Sequence, residues 1–301
     1  MANRTYISFD WAIKKLLRKK SNFKILEGFL SEFLGFDVKI QEILESEANK
    51  DTSQDKFDRV DILVKSNKGE LILVELQYDS QVDYFHRMVY GISKLITQYI
   101  SEGEAYGTIR KAYSINIVYF NLGQGSDYLY EYRGEFFGIN NKEVLQPSEY
   151  QKTKYNIKKV SDIFPKYYII RVNNFKQENA TNPVEEWLYF LKNSEIPEHF
   201  KARGISDARK SLRYEKMSTT EKSAYERFIE NRRIEMSVKE TAKVEGRKEG
   251  KKEGRREGIE EGKKSVAISL LQTSLSNTEI AQHTGLTIEQ IKQLRKQQNH
   301  S

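Results

Sequence analysis

The chain has 301 residues, a net charge of +7, no cysteine and only four histidines. Without cysteine it cannot form disulfides, thiol nucleophiles or cysteine-ligated zinc sites, and no two histidines have the spacing of a zinc site. A bound metal ion should therefore have oxygen ligands, which favours Mg²⁺ or Mn²⁺. No apolar run reaches the roughly 18 residues that a membrane span needs. The first residues do not lead into a secretory signal, so we expect a cytoplasmic protein without a membrane partner.

The first part of the chain alternates between helical and strand patterns. Residues 8–35 have apolar side chains at helical spacing, and residues 38–45 alternate as a strand does. Two apolar strands follow in residues 60–77, and residues 82–100 form a second helical pattern without proline. Residues 113–120 suit a buried strand. This order predicts an α/β fold with a mixed central sheet flanked by helices.

The next part of the chain adds further strands and then becomes helical. Residues 128–140 predict a hairpin rich in tyrosine and phenylalanine, and residues 167–172 predict one more strand. Beyond Pro183 the pattern is helical. We therefore expect an α-helical extension after the sheet.

The two strands in residues 60–77 each contain an acidic residue at a position where burial of its charge would lower the stability of the fold. Asp61 and Glu75 both lie within runs of valine, isoleucine and leucine. A carboxylate in such a run has to be paired, hydrogen-bonded or bound to a metal. The break between the runs contains residues 67–69, Asn-Lys-Gly, which suit a three-residue hairpin loop that ends with glycine in the left-handed conformation.

The length of this loop decides whether the two acids meet. A three-residue loop places Asp61 opposite Glu75, at a Cβ separation of roughly 4.5–5.5 Å, with Gln77 on the same face. A two-residue loop would place Asp61 opposite Val74 and turn Glu75 to the other face. Asp58 is a secondary candidate, because a regular strand would point it away from Asp61.

The combination of Asp61, Glu75 and Gln77 resembles the PD-(D/E)XK nuclease fold, with glutamine where many members carry lysine. More narrowly, the chain resembles the Rpn family of recombination-promoting nucleases. The resemblance extends over roughly residues 5–264 through further motifs in the same order. These motifs are Asp10–Leu17, Asp83–Tyr90, Ile115–Phe120, Pro165–Val172, Glu186–Lys192 and the Glu-Gly repeats near the end.

The resemblance implies that Asp61 and Glu75 hold a divalent metal ion, Mg²⁺ or Mn²⁺, and act in catalysis. It also implies that the backbone carbonyl of Leu76 is a further ligand. Gln77 cannot supply the positive charge of the usual lysine, although its amide can orient a water molecule. The site would then hydrolyse phosphodiester bonds, which requires a nucleophilic water and neutralisation of developing charge.

Residues on the two predicted helices extend this set. Four of them fall near one face of the second helix, namely Arg87, Tyr90, Lys94 and Gln98. Lys94 is the candidate for the displaced catalytic lysine, although the same face could simply be solvated. Asp10 is a candidate third acidic metal ligand, as the first helix provides in many relatives of this fold, or else a helix N-cap.

Residues 245–264 contain five Glu-Gly pairs with a period of four. This period keeps the glycines almost on one stripe of a helix. Each glycine costs a helix up to about 1 kcal/mol relative to alanine. The segment is therefore either a flexible charged linker or a helix whose glycine stripe lets a partner helix approach, which would make the protein a homodimer.

The last 37 positions predict a small helical unit. Ser276 and Glu279 form one capping-box pattern, and Thr287 and Gln290 form another, so two helices should begin there. Gly285 suits the turn between them. The unit resembles a helix-turn-helix that contacts DNA, and the alternative is a helical hairpin that only packs or dimerises.

Together these patterns predict four regions. They are a PD-(D/E)XK nuclease-like core in residues 1–175, a helical extension in 176–244, the charged repeat in 245–264 and the helix-turn-helix-like unit in 265–301. The expected function is that of a metal-dependent DNA endonuclease that promotes recombination, and the positive charge is compatible with DNA as partner. The alternative is a DNA-binding or assembly protein of a mobile element with little or no cleavage activity.

Overall fold

The computed structural model describes residues 5–44, 59–99, 105–176 and 180–298, and it describes only the backbone of residues 14 and 59–61. Asp58 lies outside the described residues. The chain divides into two compact units, Met1–Tyr225 and Glu226–Ser301. None of the helices in the described ranges is long and apolar enough to cross a membrane.

Within the described ranges, the first unit is built on a mixed six-stranded sheet. Its strands are β1 (Ile40–Leu44), β2 (Arg59–Ser66), β3 (Leu71–Gln77), β4 (Ala112–Val118), β5 (Leu129–Glu131) and β6 (Lys166–Arg171). Their order across the sheet is β1-β2-β3-β4-β6-β5. The central strands β3, β4 and β6 run parallel, and the other neighbouring pairs are antiparallel. The predicted α/β fold with a mixed sheet is confirmed.

Helices accompany the sheet along the chain. In the first unit they are α1 (Phe9–Lys15), α2 (Phe23–Leu34), α3 (Tyr84–Gln98), α4 (Glu149–Tyr155), α5 (Pro183–Asn193) and α6 (Ile205–Ser211). The next helix, α7 (Thr219–Leu270), begins in the first unit and continues into the second.

Both faces of the sheet are covered, because every side chain of β3 and β4 is buried. On one face, Ile92 and Leu95 of α3 lie in a core cluster with Leu63, Leu71 and Leu73 of the sheet. A second layer contains α1, α2 and α5, and α1 contacts β2. Aromatic rings join these three helices through edge and tilted contacts between Phe9, Phe29, Trp187 and Phe190. Each such pair typically adds about 0.5–1.5 kcal/mol beyond the burial of its area.

The predicted hairpin in residues 128–140 is wrong. Only β5 forms a strand there, and it pairs with β6 instead of with a second strand of its own. The amide of Tyr132 donates to the carbonyl of Tyr167 over 2.9 Å, and the amide of Arg171 donates to the carbonyl of Tyr128 over 2.8 Å. The open edge of β6 supplies the backbone partners that a hairpin would otherwise have supplied.

In the second unit, α7 continues as a helix through the Glu-Gly repeat, so the helical alternative describes this segment and the linker alternative does not. A Cβ atom added at any of the five repeat glycines would have no atom within 4 Å. Two short helices follow, α8 (Asn277–Thr284) and α9 (Ile288–Gln298).

Candidate active site

The hairpin between β2 and β3 has the register that brings the two acids together. Gly69 adopts the left-handed conformation with φ of +78°. The amide of Ser66 donates to the carbonyl of Glu70 over 2.9 Å, which closes the predicted three-residue loop. Asp61 consequently stands opposite Glu75 in the ladder, and the two-residue alternative is wrong. Directly opposed residues of neighbouring strands lie on the same face of the sheet.

Glu75 lies at the centre of the sheet and is only 2% exposed. Its neighbours along the strand, Val74 and Leu76, are fully buried. Helix α3 passes directly over the carboxylate, since a Cβ atom added at Gly91 would lie 3.7 Å from Oε1 of Glu75. A glycine at this point keeps the space beside the carboxylate open, which a larger side chain on α3 would fill.

Asn116 extends the acidic pair into a row across three strands. It stands beside Glu75 in the parallel pairing of β3 with β4. Tyr84 of α3 donates from its hydroxyl to Oδ1 of Asn116 over 3.3 Å. The amide nitrogen of Asn116 donates to Oγ of Ser114 over 2.8 Å and to the carbonyl of Tyr168 over 3.1 Å.

Asn116 and Tyr84 were not among the site residues predicted from the sequence. A usable signal was present, because Asn116 interrupts a run of buried apolar residues as the two acids do. A buried amide requires hydrogen-bond partners, and the fully buried Tyr84 provides one of them. The row Asp61, Glu75 and Asn116 therefore forms a polar group across three strands whose other side chains are mostly apolar.

Gln77 lies two residues beyond Glu75 on the same strand and is 2% exposed. Nη1 of Arg87 lies 3.5 Å from Oε1 of Gln77 and donates to Oε1 of Gln81 over 2.9 Å. Because a guanidinium group only donates hydrogen bonds, it holds the Gln77 amide with its oxygen towards Arg87. The amide nitrogen of Gln77 is then directed away from Arg87 and can donate to another oxygen.

Arg87 is the cation that the structure places beside Gln77. Its guanidinium also lies over the ring of Tyr84, 5.6 Å from the centroid. Its Nε and Nη2 are buried, and within the described residues neither has a hydrogen-bond acceptor. Buried donors without acceptors are costly, and a guanidinium without a counter-ion more so. An anion is the ligand that would relieve this cost.

Lys94 lies one helical turn beyond Gly91 on α3 and is half-buried. In the described part of the chain its ammonium group has no ion pair or hydrogen bond. The other two members of the predicted helix face, Tyr90 and Gln98, are exposed. The role of Lys94 as the displaced lysine stays a prediction.

Asp10 lies in the first turn of α1 and is 1% exposed. The N-cap of this helix is Ser8, so the alternative that Asp10 is the N-cap is wrong. Helix α1 packs against β2, the strand that carries Asp61. Its role as a third metal ligand stays a prediction, as does the role of the Leu76 carbonyl.

The donor set fits a hard divalent cation. The residues of the row offer carboxylate and amide oxygens, and it contains no histidine, the ligand that zinc would favour. Among the side chains that the structure describes, no three histidine, aspartate or glutamate residues form a metal cluster by themselves. The site therefore depends on Asp61 facing Glu75, which the register of the hairpin provides.

Comparison with known families places most of the chain in one family model. A family model described as PD-(D/E)XK nuclease family transposase matches residues 7–242. The matched range contains the whole sheet and α1 to α6, and it ends just before the Glu-Gly repeat. No curated protein and no solved structure gives a significant match.

Proposed function

Because the chain belongs to the PD-(D/E)XK nuclease family of transposases, we propose that it is a metal-dependent DNA endonuclease whose cuts promote recombination. The observation that carries this proposal is the pairing of Asp61 with Glu75 at the centre of the sheet, where Glu75 is almost completely buried. A sheet retains a carboxylate at such a position only at a cost in stability, and a functional site explains that cost.

In this proposal Asp61, Glu75 and the carbonyl of Leu76 hold Mg²⁺ or Mn²⁺, with Asp10 as a further acidic ligand. When bound, such an ion lowers the pKa of a coordinated water and neutralises charge on the phosphoryl oxygens. The burial of Glu75 excludes bulk water, which strengthens the electrostatic attraction between the carboxylate and a cation.

The remaining residues of the site orient the reacting groups and supply positive charge. Asn116 and Tyr84 keep the floor of the site rigid through their hydrogen bond. Gln77 orients a water molecule or a phosphate oxygen with its amide nitrogen, because its oxygen is turned towards Arg87. Arg87 supplies the positive charge that glutamine lacks, and Lys94 is a second cation on the same helix.

The test is cleavage of supercoiled plasmid by the purified chain with Mg²⁺, with Mn²⁺ or with EDTA. We expect nicked and linear DNA only in the presence of a divalent ion, and no product from Asp61→Ala under the same conditions. Cleavage by Asp61→Ala would contradict the assignment of the site. Tight DNA binding without any cleavage by the unmodified chain would replace the proposal with a DNA-binding or assembly protein.

We also propose that the chain forms a homodimer through the glycine stripe of α7. The five glycines lie on an exposed helix, and open space surrounds the position of each missing Cβ. A glycine stripe in an isolated helix costs up to about 1 kcal/mol per residue, and close approach of a second helix offsets that cost.

Replacing Gly250 and Gly254 with alanine tests whether α7 pairs with the same helix of a second chain or remains unpaired in a monomer. For a dimer, the added methyl groups should reduce the molar mass in light scattering from that of a dimer towards that of a monomer. The double variant Lys248→Ala, Lys252→Ala is the control, because it adds alanine on the other side of the helix. The dimer would be contradicted if the unmodified chain is a monomer and the alanine replacements at Gly250 and Gly254 only raise the helicity.

A further inference from the structure

We infer that the end of the chain is a second, separate DNA site, in which α9 enters the major groove of duplex DNA. This site lies beyond the residues that match the nuclease family and does not depend on cleavage by the sheet. Its ligand class is duplex DNA, recognised by base edges and phosphates together.

The unit has its own apolar core, as an independent module requires. The core is formed by Ala267 and Leu271 at the end of α7, by Ile280 of α8, by Leu286 in the turn, and by Ile291 of α9. All five side chains are at most 7% exposed. Three helical segments around one core give the arrangement in which a helix-turn-helix holds its second helix.

The turn between α8 and α9 is short and closely defined. Gly285 ends α8 in the left-handed conformation with φ of +68°, and its amide donates to the carbonyl of Ala281 over 2.9 Å. Thr287 and Gln290 then form a capping arrangement at the start of α9. The chain therefore turns between the two helices within residues 285–287, the length that helix-turn-helix motifs use.

A hydrogen bond between the helices fixes how α9 is presented. Nε of Arg295 donates to Oδ1 of Asn277, the first residue of α8, over 3.1 Å. Ile291, which belongs to α9, is fully buried in the core of the unit. These two anchors leave one side of α9 to solvent, and that side begins near its N-terminus, where recognition helices contact bases.

The exposed side of α9 carries the chemistry that reads DNA. Its exposed polar residues are Glu289, Lys292, Gln293, Lys296, Gln297 and Gln298. Glutamine can donate and accept together, which matches adenine in the major groove, and lysine binds guanine or phosphate. The helix contains three basic residues and one acid, so its charge is complementary to DNA.

The same surface is poorly suited to the alternative of a helical hairpin that only packs. Among the described residues of α9, Ile288 is the one large apolar side chain that is exposed, at 42%. A protein-docking face would be centred on several apolar or aromatic side chains. The outward face of α9 is instead polar and basic, which favours a polyanion over a protein.

The test measures binding of the full-length chain to short fluorescent duplexes over a range of salt concentrations, with EDTA present to prevent cleavage. The double variant Lys292→Ala, Lys296→Ala should weaken binding by about 10-fold or more at physiological salt. It should also reduce the slope of log K against log salt by about 0.9 for each lysine that contacts a phosphate. Gln293→Ala should leave this slope unchanged and relax the preference among duplexes of different sequence.

The control removes the same charge elsewhere, with Lys251→Ala and Lys252→Ala on α7. Equal losses in the two double variants would overturn the inference, because binding would then depend on net charge alone. Unchanged binding in the α9 variants, or no binding by the unmodified chain, would also overturn it. Loss of binding specific to the α9 variants supports the inference even if the unmodified chain cleaves no DNA, so this result is independent of the proposed nuclease.

Discussion

Glu75→Gln should abolish metal-dependent cleavage while the chain remains folded. The amide has nearly the shape of the carboxylate but lacks its charge, and divalent ions bind carboxylate far better than a neutral amide at such a site. Loss of residues that merely support a metal ligand costs about 10–100-fold, so loss of a ligand should reduce cleavage by more than about 100-fold. Plasmid nicking at saturating Mg²⁺ and Mn²⁺ measures this effect.

The free energy of unfolding should not fall when the activity is lost. Glu75 is 2% exposed among apolar neighbours, and an amide of nearly the same shape removes the cost of desolvating a charge while it can still form hydrogen bonds, so stability should be unchanged or higher. Denaturant unfolding in EDTA measures this value. A residue that served only the fold would show the reverse, with lower stability and retained cleavage.

Glu42→Gln provides the matched control for this prediction. Glu42 belongs to β1 of the same sheet, where it forms an ion pair of 3.0 Å with Lys65, and its side chain is 47% exposed. The same chemical change there should leave nicking unaltered. Full activity of Glu75→Gln would refute the metal role of Glu75, and Asp61→Asn gives an independent reading should Glu75→Gln fail to fold.

Arg87→Met should lower kcat/KM for DNA cleavage by about 10–100-fold, the value of a hydrogen bond from a charged group to substrate. The guanidinium lies beside Gln77 and has two buried nitrogens without acceptors among the described residues. We expect a phosphate of the substrate to supply those acceptors. The salt slope of DNA binding in EDTA should fall by about 0.9 for this one phosphate contact.

Stability distinguishes this role of Arg87 from a structural one. In the part of the chain that the structure describes, this half-buried guanidinium has no ion-pair partner, so its removal should leave the free energy of unfolding unchanged or higher. Arg87→Lys should show intermediate activity, because lysine keeps the charge but cannot reproduce the planar fork of the guanidinium. Lower stability of Arg87→Met together with an unchanged salt slope would contradict the phosphate contact.

Lys94→Met is the control that decides between the two cations on α3. If Arg87 supplies the charge, Lys94→Met should cleave nearly as well as the unmodified chain. A larger loss in Lys94→Met than in Arg87→Met would instead identify Lys94 as the displaced lysine of the nuclease motif. Both variants remove one positive charge from the same helix, so net charge is matched between them.

The parts of the site that local geometry controls could be predicted from the sequence. The loop of residues 67–69 sets the register of its hairpin, because the backbone conformation available to Gly69 and the count of residues do not depend on the rest of the chain. The opposition of Asp61 and Glu75 could therefore be predicted. The caps of α8 and α9 were equally local, since each is formed by residues three positions apart.

Which distant residues join that pair depends on how the strands and helices pack in the folded chain. Asn116 stands beside Glu75 because β4 pairs in parallel with β3, and neither the partner strand nor its register follows from local sequence. The choice of Arg87 as the cation beside Gln77 depends on how α3 is rotated against the sheet, which is set by the burial of Ile92 and Leu95. Helical periodicity alone places Arg87 and Lys94 on the same side of α3 and cannot show which of them lies beside Gln77.

The same difference between local and long-range determinants explains why the hairpin predicted in residues 128–140 was wrong. Alternating aromatic residues predicted strands in residues 128–140, and a strand does form at Leu129–Glu131. Its partner is β6, a segment more than thirty residues further along the chain. Strand propensity is a local property, whereas the hydrogen-bond partner of a strand is whichever edge the folded sheet leaves open, so the first was determined by the sequence and the second by the assembled fold.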